Sequence, residues 1–215
     1  MKPVSKYFIV RHGKLFLPYK DHNEMPVSVL SDLANGKLNP PIDEEYSKSL
    51  VKKIISDFPE ILSSKIIYAS TIPRTGETAV LFQDEIERAT GIRPPLEKFS
   101  ELDEVSFDLV KLFTGGEGIA AINSDVFRGM ASGKHAEFYA DTFVRVKSFF
   151  NKVAVTPGAK LVIAHDFIMR IIEIFIRNKG NIPPTIDLNS LEATKRNTYV
   201  RGFATDDSFE TFAPL

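Results

Sequence analysis

The 215-residue sequence contains no cysteine and no tryptophan. The missing cysteine excludes disulfides, thiolate metal sites and a cysteine nucleophile. An excess of one charge is missing as well: 27 basic and 28 acidic side chains leave a formal net charge of −1. This balance argues against a general nucleic-acid-binding or membrane-surface protein, although a local anion pocket needs only a few charges.

Long hydrophobic runs are also absent. The most apolar stretch, residues 161–176, is interrupted by His165, Asp166, Arg170 and Glu173, and it falls short of the ~20 apolar residues of a membrane span. The apolar run near the N-terminus is too short for a secretory signal. We therefore expect a soluble, cytoplasmic protein with no membrane or nucleic-acid partner.

Short apolar runs alternate with helical patterns along the chain. Strands of the buried type are predicted at residues 7–10, 65–70 and 161–164, a short strand near 94–100, and two more at 198–204 and 208–213. Helices are predicted from Asp43 to Phe58, from Pro73 to Gly91, over 139–150, and from Phe167 to Gly180, with a short one possible at 28–36. The segment 103–135 is interpreted as loop-like. This alternation predicts an α/β fold, a three-layer sandwich with a mostly parallel sheet, in one domain spanning 1–215.

Three of the buried-type strands end at polar groups. The first ends at Arg11-His12, the second at Ser70 with Arg74 four residues later, and the third at His165. Ligands of open α/β sheets bind outside the carboxyl ends of the strands. If the strands are neighbours, two arginines and two histidines meet at one place.

Such a cluster suits a tetrahedral dianion. Arginine offers fork-shaped, permanently charged donors that match phosphate oxygens, and a histidine nitrogen can donate a hydrogen bond or attack phosphorus. Gly13 would let the backbone come close to the ligand, and the helix that begins near Pro73 would add a positive N-terminal end. The pattern therefore indicates phosphate binding or phosphoryl transfer.

Five segments, in order, resemble blocks of the histidine phosphatase superfamily, which includes the phosphoglycerate mutases. They are RHG at 11–13, YASTIPRTGETA at 68–79, ELDEVSFD at 101–108, VIAHDFIMR at 162–170 and NTYVRGF at 197–203. The resemblance implies a phosphoglycerate mutase-like fold with a cap insertion at about 105–136 that helps set substrate choice. It also implies chemistry that needs no metal and no cofactor.

The same resemblance implies roles for individual residues. His12 would be the nucleophile that becomes phosphorylated, and Arg11, Arg74 and His165 would hold the phosphate oxygens. Glu104 would protonate the leaving oxygen and then activate water, although spacing alone leaves Glu101 and Asp103 as rival acids. Gly13, Lys14 and Ser70 complete the candidate substrate-binding set. The alternative for Ser70 is a residue that shapes the loop, and for Lys14 a solvated loop lysine.

Departures from the family pattern shape the functional expectation. Lys14 follows RHG where glutamate is common, and Asp108 stands where glycine is common after the acid. The tryptophan and asparagine landmarks of the mutases are missing. These features favour a phosphomonoester hydrolase acting on a phosphorylated small molecule, with a phosphoprotein substrate still open. A phosphomutase and a catalytically weak protein that binds a phospho-ligand or a partner are the alternatives.

Overall fold

The computed structural model describes residues 6–19, 24–113, 118–183 and 198–215, with side chains described from residue 121 onward in the helix that begins at 118. The strands are β1 (Lys6–Arg11), β2 (Ile66–Ala69), β3 (Leu96–Lys98), β4 (Lys160–Ala164), β5 (Gly202–Asp206) and β6 (Ala213–Pro214). The α-helices are α1 (Val27–Ala34), α2 (Glu44–Asp57), α3 (Pro73–Thr90), α4 (Leu109–Leu112), α5 (Gly118–Ser132), α6 (Tyr139–Val153) and α7 (Asp166–Arg177). Short 3₁₀ turns cover Pro59–Ser63 and Ser100–Leu102.

The strands form one sheet in the order β3-β2-β4-β1-β5-β6. Strands β3, β2, β4 and β1 run parallel, while β5 and β6 are antiparallel to their neighbours. Helices flank this sheet, and the predicted three-layer α/β fold with a mostly parallel sheet is confirmed. The central strands are apolar without alternation because helices cover both faces, and apart from Lys6 every residue of β1, β2 and β4 is buried.

The predicted helix boundaries have the expected local causes. The Asp43 side chain caps α2 by accepting a hydrogen bond from the backbone N–H of Tyr46, at 3.1 Å. Pro73 occupies the first turn of α3, where its missing N–H costs nothing. Gly91 ends α3 in the left-handed conformation, with φ of 74°.

The interpretation of 103–135 as loop-like is wrong, because this segment contains α4 and the 15-residue α5. Val126, Phe127 and Met130 form the buried face of α5. Glycines around and within this helix obscured the apolar period. Gly129 is needed for packing, since a Cβ there would lie 2.7 Å from a Leu112 methyl carbon.

The predicted tail strands are shorter than expected. β5 starts only at Gly202, because Val200 takes a left-handed φ of 52° that no strand tolerates. A turn at 207–208 and irregular chain at 209–212 replace the predicted strand. Asp206 holds this segment, since its Oδ1 accepts from the N–H groups of Ser208 and Glu210. Only Ala213–Pro214 pairs with the sheet.

The segment between β3 and α6 contains two distant positions that lie side by side. Phe107 and Ala136 form an isolated antiparallel bridge. On either side of it, the Asp108 N–H donates to the His135 carbonyl and the Glu137 N–H to the Ser106 carbonyl, both at 2.7 Å. In the described part of the chain, no helix combines the length and the apolar character that crossing a membrane requires.

Candidate active site

The polar strand ends do converge. β1, β4 and β2 are adjacent and parallel, so their carboxyl ends share one edge of the sheet. A pocket opens at this edge, with about 640 Å³ of empty space when its mouth is included. Its basic and acidic lining residues are Arg11, His12, Arg74, Glu104 and Asp166. The rest of the lining is Leu15, Leu30, Leu33, Ala34, Phe107, Leu109, Ile122, Asn123, Phe167 and Tyr199.

His12 is buried directly after the end of β1. Its Nδ1 donates to the Gly13 carbonyl oxygen at 2.7 Å, since a carbonyl can only accept. Its backbone N–H donates to the Ala164 carbonyl of the neighbouring strand at 3.0 Å. A neutral imidazole that carries its proton on Nδ1 has its lone pair on Nε2, which is the electronic state that a nucleophile requires.

Arg74 supplies a buried cation on the first turn of α3. Its Nη2 donates to the Leu33 carbonyl at 3.1 Å and its Nε to His165 Nδ1 at 3.2 Å. Its Nη1 is buried and has no hydrogen-bond partner among the described residues. Burial lowers the pKa of Arg74 to about 10, so the group stays cationic at neutral pH. A buried guanidinium nitrogen without an acceptor is costly, and Arg74 is one of the two arginines that line the pocket.

Arg11 is the second buried arginine of the pocket. Its guanidinium carbon lies 4.6 Å from the centroid of the Tyr199 ring, within the range of a cation–π contact. The same ring lies 6.0 Å from the His12 ring. Tyr199 therefore contacts both residues that end β1.

His165 lies behind Arg74 and does not line the pocket. Because arginine can only donate, His165 Nδ1 is the acceptor and the proton is on Nε2, which donates to Ser70 Oγ at 2.7 Å. Burial, and next the Arg74 charge, hold the pKa of His165 well below its ordinary value. The structure thus has a neutral His165 that links Ser70 to Arg74, with its ring 5.1 Å from that of His12.

Glu104 lies at the N-terminus of α7, partly exposed to the pocket. Its Oε1 accepts from the N–H groups of Val105 and Ile168, each at 3.0 Å. Burial, and then the charge of Asp166, nevertheless raise the pKa of Glu104 above its ordinary range. A carboxyl group with a raised pKa keeps its proton to a higher pH than an ordinary glutamate does, which favours a role as a general acid.

The rival acids point elsewhere. Glu101 pairs with Lys152, and this contact lowers the pKa of the carboxyl even though burial opposes it. Asp103 Oδ1 accepts from the N–H and hydroxyl of Thr71 at 2.7 and 2.8 Å. Neither carboxylate lines the pocket. Of the three acids, only Glu104 lines the same pocket as Arg11, His12 and Arg74.

The other candidate residues lie outside the pocket lining. The Lys14 ammonium is 5.0 Å from the ring centroid of Tyr46 on α2. Gly13 faces α2, since a Cβ there would meet Ser47. Ser70 is buried behind His165. Asp108, which stands where the resembled pattern has glycine, caps α4, because its side chain accepts a hydrogen bond from the Lys111 N–H.

Among the pocket residues to which sequence reasoning gave no role are Asp166 and Tyr199. Asp166 Oδ2 accepts from Arg170 Nη2 at 3.0 Å, and both side chains of this ion pair are buried. The signal was present, because Asp166 follows His165 directly at a strand end. Tyr199 lay within the last resembling block but was given no role. Asn197 of that block lies outside the described residues.

Among the described residues, no group of three or more histidines and carboxylates is placed to hold a metal ion. The concentration of cations instead suits an anionic ligand, with His12 and Glu104 at the same pocket.

No protein-family model and no curated protein matches the sequence. Solved structures do match over nearly the whole chain. Phosphoglycerate mutase from Bacillus anthracis is 19% identical with a TM-score of 0.59, covering 100% of this chain and 92% of its own. The α-ribazole phosphatase from Shigella flexneri is 16% identical with a TM-score of 0.62, covering 98% and 94%. A mycobacterial glucosyl-3-phosphoglycerate phosphatase is 15% identical with a TM-score of 0.59, covering 98% and 96%.

At these identities the likeness establishes the fold. The chain has the phosphoglycerate mutase-like fold, which it shares with mutases and with phosphatases of the histidine phosphatase superfamily. The resemblance inferred from the motifs is confirmed at this level.

Proposed function

We propose that this protein is a histidine phosphatase that hydrolyses phosphomonoesters without a metal, through a phosphohistidine on His12. The observation that carries the proposal is the hydrogen bond from His12 Nδ1 to the Gly13 carbonyl, in a pocket that Arg11 and Arg74 also line. In the neutral imidazole this bond puts the proton on Nδ1 and the lone pair on Nε2, the nitrogen that we propose attacks phosphorus. The substrate class that we propose is a phosphorylated small molecule, and the segment 105–136 is its cap.

In the first half of the reaction, Nε2 of His12 forms a bond to phosphorus while the bond from phosphorus to the alcohol oxygen breaks. The carboxyl proton of Glu104 goes to that oxygen. Positive charge that develops on the imidazole ring is stabilised by the Gly13 carbonyl at Nδ1. Arg11 and Arg74 stabilise the equatorial oxygens of the transferred group.

In the second half, the Glu104 carboxylate takes a proton from water, whose oxygen attacks phosphorus as the bond to Nε2 breaks. Inorganic phosphate leaves, and His12 and the Glu104 acid are restored. The raised pKa of Glu104 supports both roles, because the group must exchange a proton near the working pH.

His165 acts in this proposal as a positioning residue. Its Nδ1 accepts from Arg74 Nε, and this bond holds the guanidinium toward the pocket. Its Nε2 is anchored by Ser70 Oγ, which also accepts from the Ile72 N–H at 3.1 Å. The first turn of α3 and the end of β4 are thereby tied together beneath the phosphate.

The test is hydrolysis of p-nitrophenyl phosphate between pH 5 and 8 with chelator present. We expect turnover by the wild-type protein, loss of turnover in His12→Asn, and an acid-labile phosphoryl adduct on the wild-type chain only. His135→Asn is the matched control, because His135 is exposed and its left-handed φ of 58° suits asparagine. Unchanged turnover in His12→Asn would refute the proposal.

The likeness to phosphoglycerate mutase supports one alternative, a phosphomutase. It would return the phosphoryl group from His12 to an acceptor hydroxyl. Product analysis with a phosphoglycerate distinguishes the two reactions, since a hydrolase releases inorganic phosphate and a mutase an isomer.

A further inference from the structure

On the basis of the function proposed above, we propose that the substrate is a phosphomonoester whose alcohol part is apolar and uncharged. The structure places a wall of apolar side chains directly beside the two arginines and His12. The charge of the pocket leaves no described cation for a second anionic group.

The wall comes from four parts of the chain. Leu30 and Leu33 come from α1, Phe107 and Leu109 from the start of the proposed cap, Ile122 from α5 and Phe167 from α7. The Phe107 and Phe167 rings pack edge to face with centroids 5.3 Å apart, which fixes the orientation of both rings. An apolar alcohol part would bury its surface against this wall.

The polar groups on the wall side are few. Asn123 and Tyr199 are the uncharged polar side chains of the lining. A sugar or polyol carries several hydroxyl groups, and those that face leucine and phenylalanine would lose hydrogen bonds to water without replacement. The wall therefore discriminates against polyhydroxylated alcohols.

The charge balance discriminates against a second anion. Arg11 and Arg74 together match one phosphate dianion. Asp166 also faces the pocket, and its partner Arg170 is buried behind it, against the ring of Phe167. Within the described residues, no further lysine or arginine lines this pocket. A carboxylate on the substrate would lie near the carboxylate of Asp166, and no described cation of the pocket other than Arg11 and Arg74 would offset its charge.

Three esters of primary alcohols test this inference: benzyl phosphate, 4-carboxybenzyl phosphate and glycerol 1-phosphate. We expect kcat/KM for benzyl phosphate to exceed that of each of the others by at least about tenfold, the scale of one matched apolar contact. An equal or higher value for either comparison compound would overturn the inference while leaving the phosphatase function intact.

Binding of the corresponding phosphonates separates the two proposals. Calorimetry with benzylphosphonate, 4-carboxybenzylphosphonate and 2,3-dihydroxypropylphosphonate requires no turnover. If no ester is hydrolysed but benzylphosphonate binds at least tenfold more tightly, the function fails and the ligand class stands. If benzylphosphonate binds no more tightly than the other two phosphonates, the proposed ligand class is wrong.

A matched pair of variants assigns the preference to the wall. Ile122 lines the pocket and is only partly buried, so Ile122→Asn is expected to fold. It should lower kcat/KM for benzyl phosphate about tenfold and leave inhibition by inorganic phosphate within twofold. Val110→Asn is the control, because Val110 is 61% exposed and lies outside this pocket. Equal values for benzyl phosphate in Ile122→Asn and the wild type would contradict the role of the wall.

Discussion

Gly13, which follows the nucleophile candidate His12, offers the most direct perturbation of the site. A Cβ at this position would lie 2.8 Å from the Cβ of Ser47 and closer still to its Oγ. Ser47 is fully buried on α2 and has little room to move. The backbone of Gly13 is also anchored, because its N–H donates to Thr78 Oγ1 at 2.9 Å. Gly13→Ala must therefore push β1 and α2 apart.

The expected cost follows from this geometry. An extra methyl group forced into a packed site typically destabilises a protein by about 1–3 kcal/mol. The Gly13 carbonyl holds His12 Nδ1, so a shift of the backbone also moves the imidazole. A misplacement of about 1 Å at a reacting group can lower the rate by about 10²-fold. We expect Gly13→Ala to lose stability in this range and to lower kcat by about 10- to 100-fold.

Urea unfolding and p-nitrophenyl phosphate hydrolysis measure the two effects. Gly76→Ala is the control, since a Cβ there meets only the flexible end of Lys98 at 3.3 Å and alanine favours the helix. Ser47→Gly removes both clashing atoms, so the double variant should recover at least about 1 kcal/mol relative to additive behaviour. A Gly13→Ala protein with wild-type stability and kcat, or a double variant without recovery, would refute the steric argument.

Further predictions concern the acid, the buried histidine and a close strand contact. Glu104→Gln should lower kcat by about 10²- to 10⁴-fold while inhibition by inorganic phosphate changes little; a loss under threefold, with a larger one in Glu101→Gln, would reassign the acid. The folded pKa of His165 is depressed, so the unfolded chain binds a proton below pH ~6.5 that the native state refuses, and this contribution to stability is lost as pH falls. Between pH 7 and 5, urea titrations should show that His165 lowers the free energy of unfolding by up to about 1.4 kcal/mol per pH unit, and this decrease should be absent in His165→Asn. The raised pKa of Glu104 contributes in the opposite direction, equally in both proteins. Equal slopes of unfolding free energy against pH in the two proteins would count against a neutral His165. Gly202→Ala should destabilise by more than about 3 kcal/mol or prevent folding, because its Cβ would lie 2.8 Å from the carbonyl carbon of Ile9 and closer still to the oxygen; a soluble variant with a wild-type melting temperature would contradict the strand geometry.

The sequence predicted the meeting of Arg11, His12 and Arg74, because short buried strands and the edge rule for parallel sheets are local and general features. It could not place His165, whose neutral state and tautomer depend on the 3.2 Å approach of Arg74. Spacing also left Glu104 among three close acids. Its selection depends on contacts with the N-terminus of α7, more than sixty residues away in the chain.

Other differences have the same physical origin. Gly13 was expected to admit the ligand, whereas the structure shows α2 packed against the position where its side chain would stand. The helix α5 was missed because Gly129 interrupts its apolar period, and that glycine is needed where Leu112 approaches. Packing between distant segments decided each of these cases.

The bridge between Phe107 and Ala136 has a consequence for how this protein can change over evolutionary time. Since the chain departs and returns at hydrogen-bonded neighbours, residues 108–135 can grow, shrink or be exchanged without rethreading the sheet. The floor of the pocket belongs to the strand ends, while Leu109 and Ile122 of its wall belong to the exchangeable segment. Under the proposed function, reactivity and selectivity would be encoded in separable stretches of the gene, and a transplanted segment would change the substrate preference without altering the residues proposed for the chemistry.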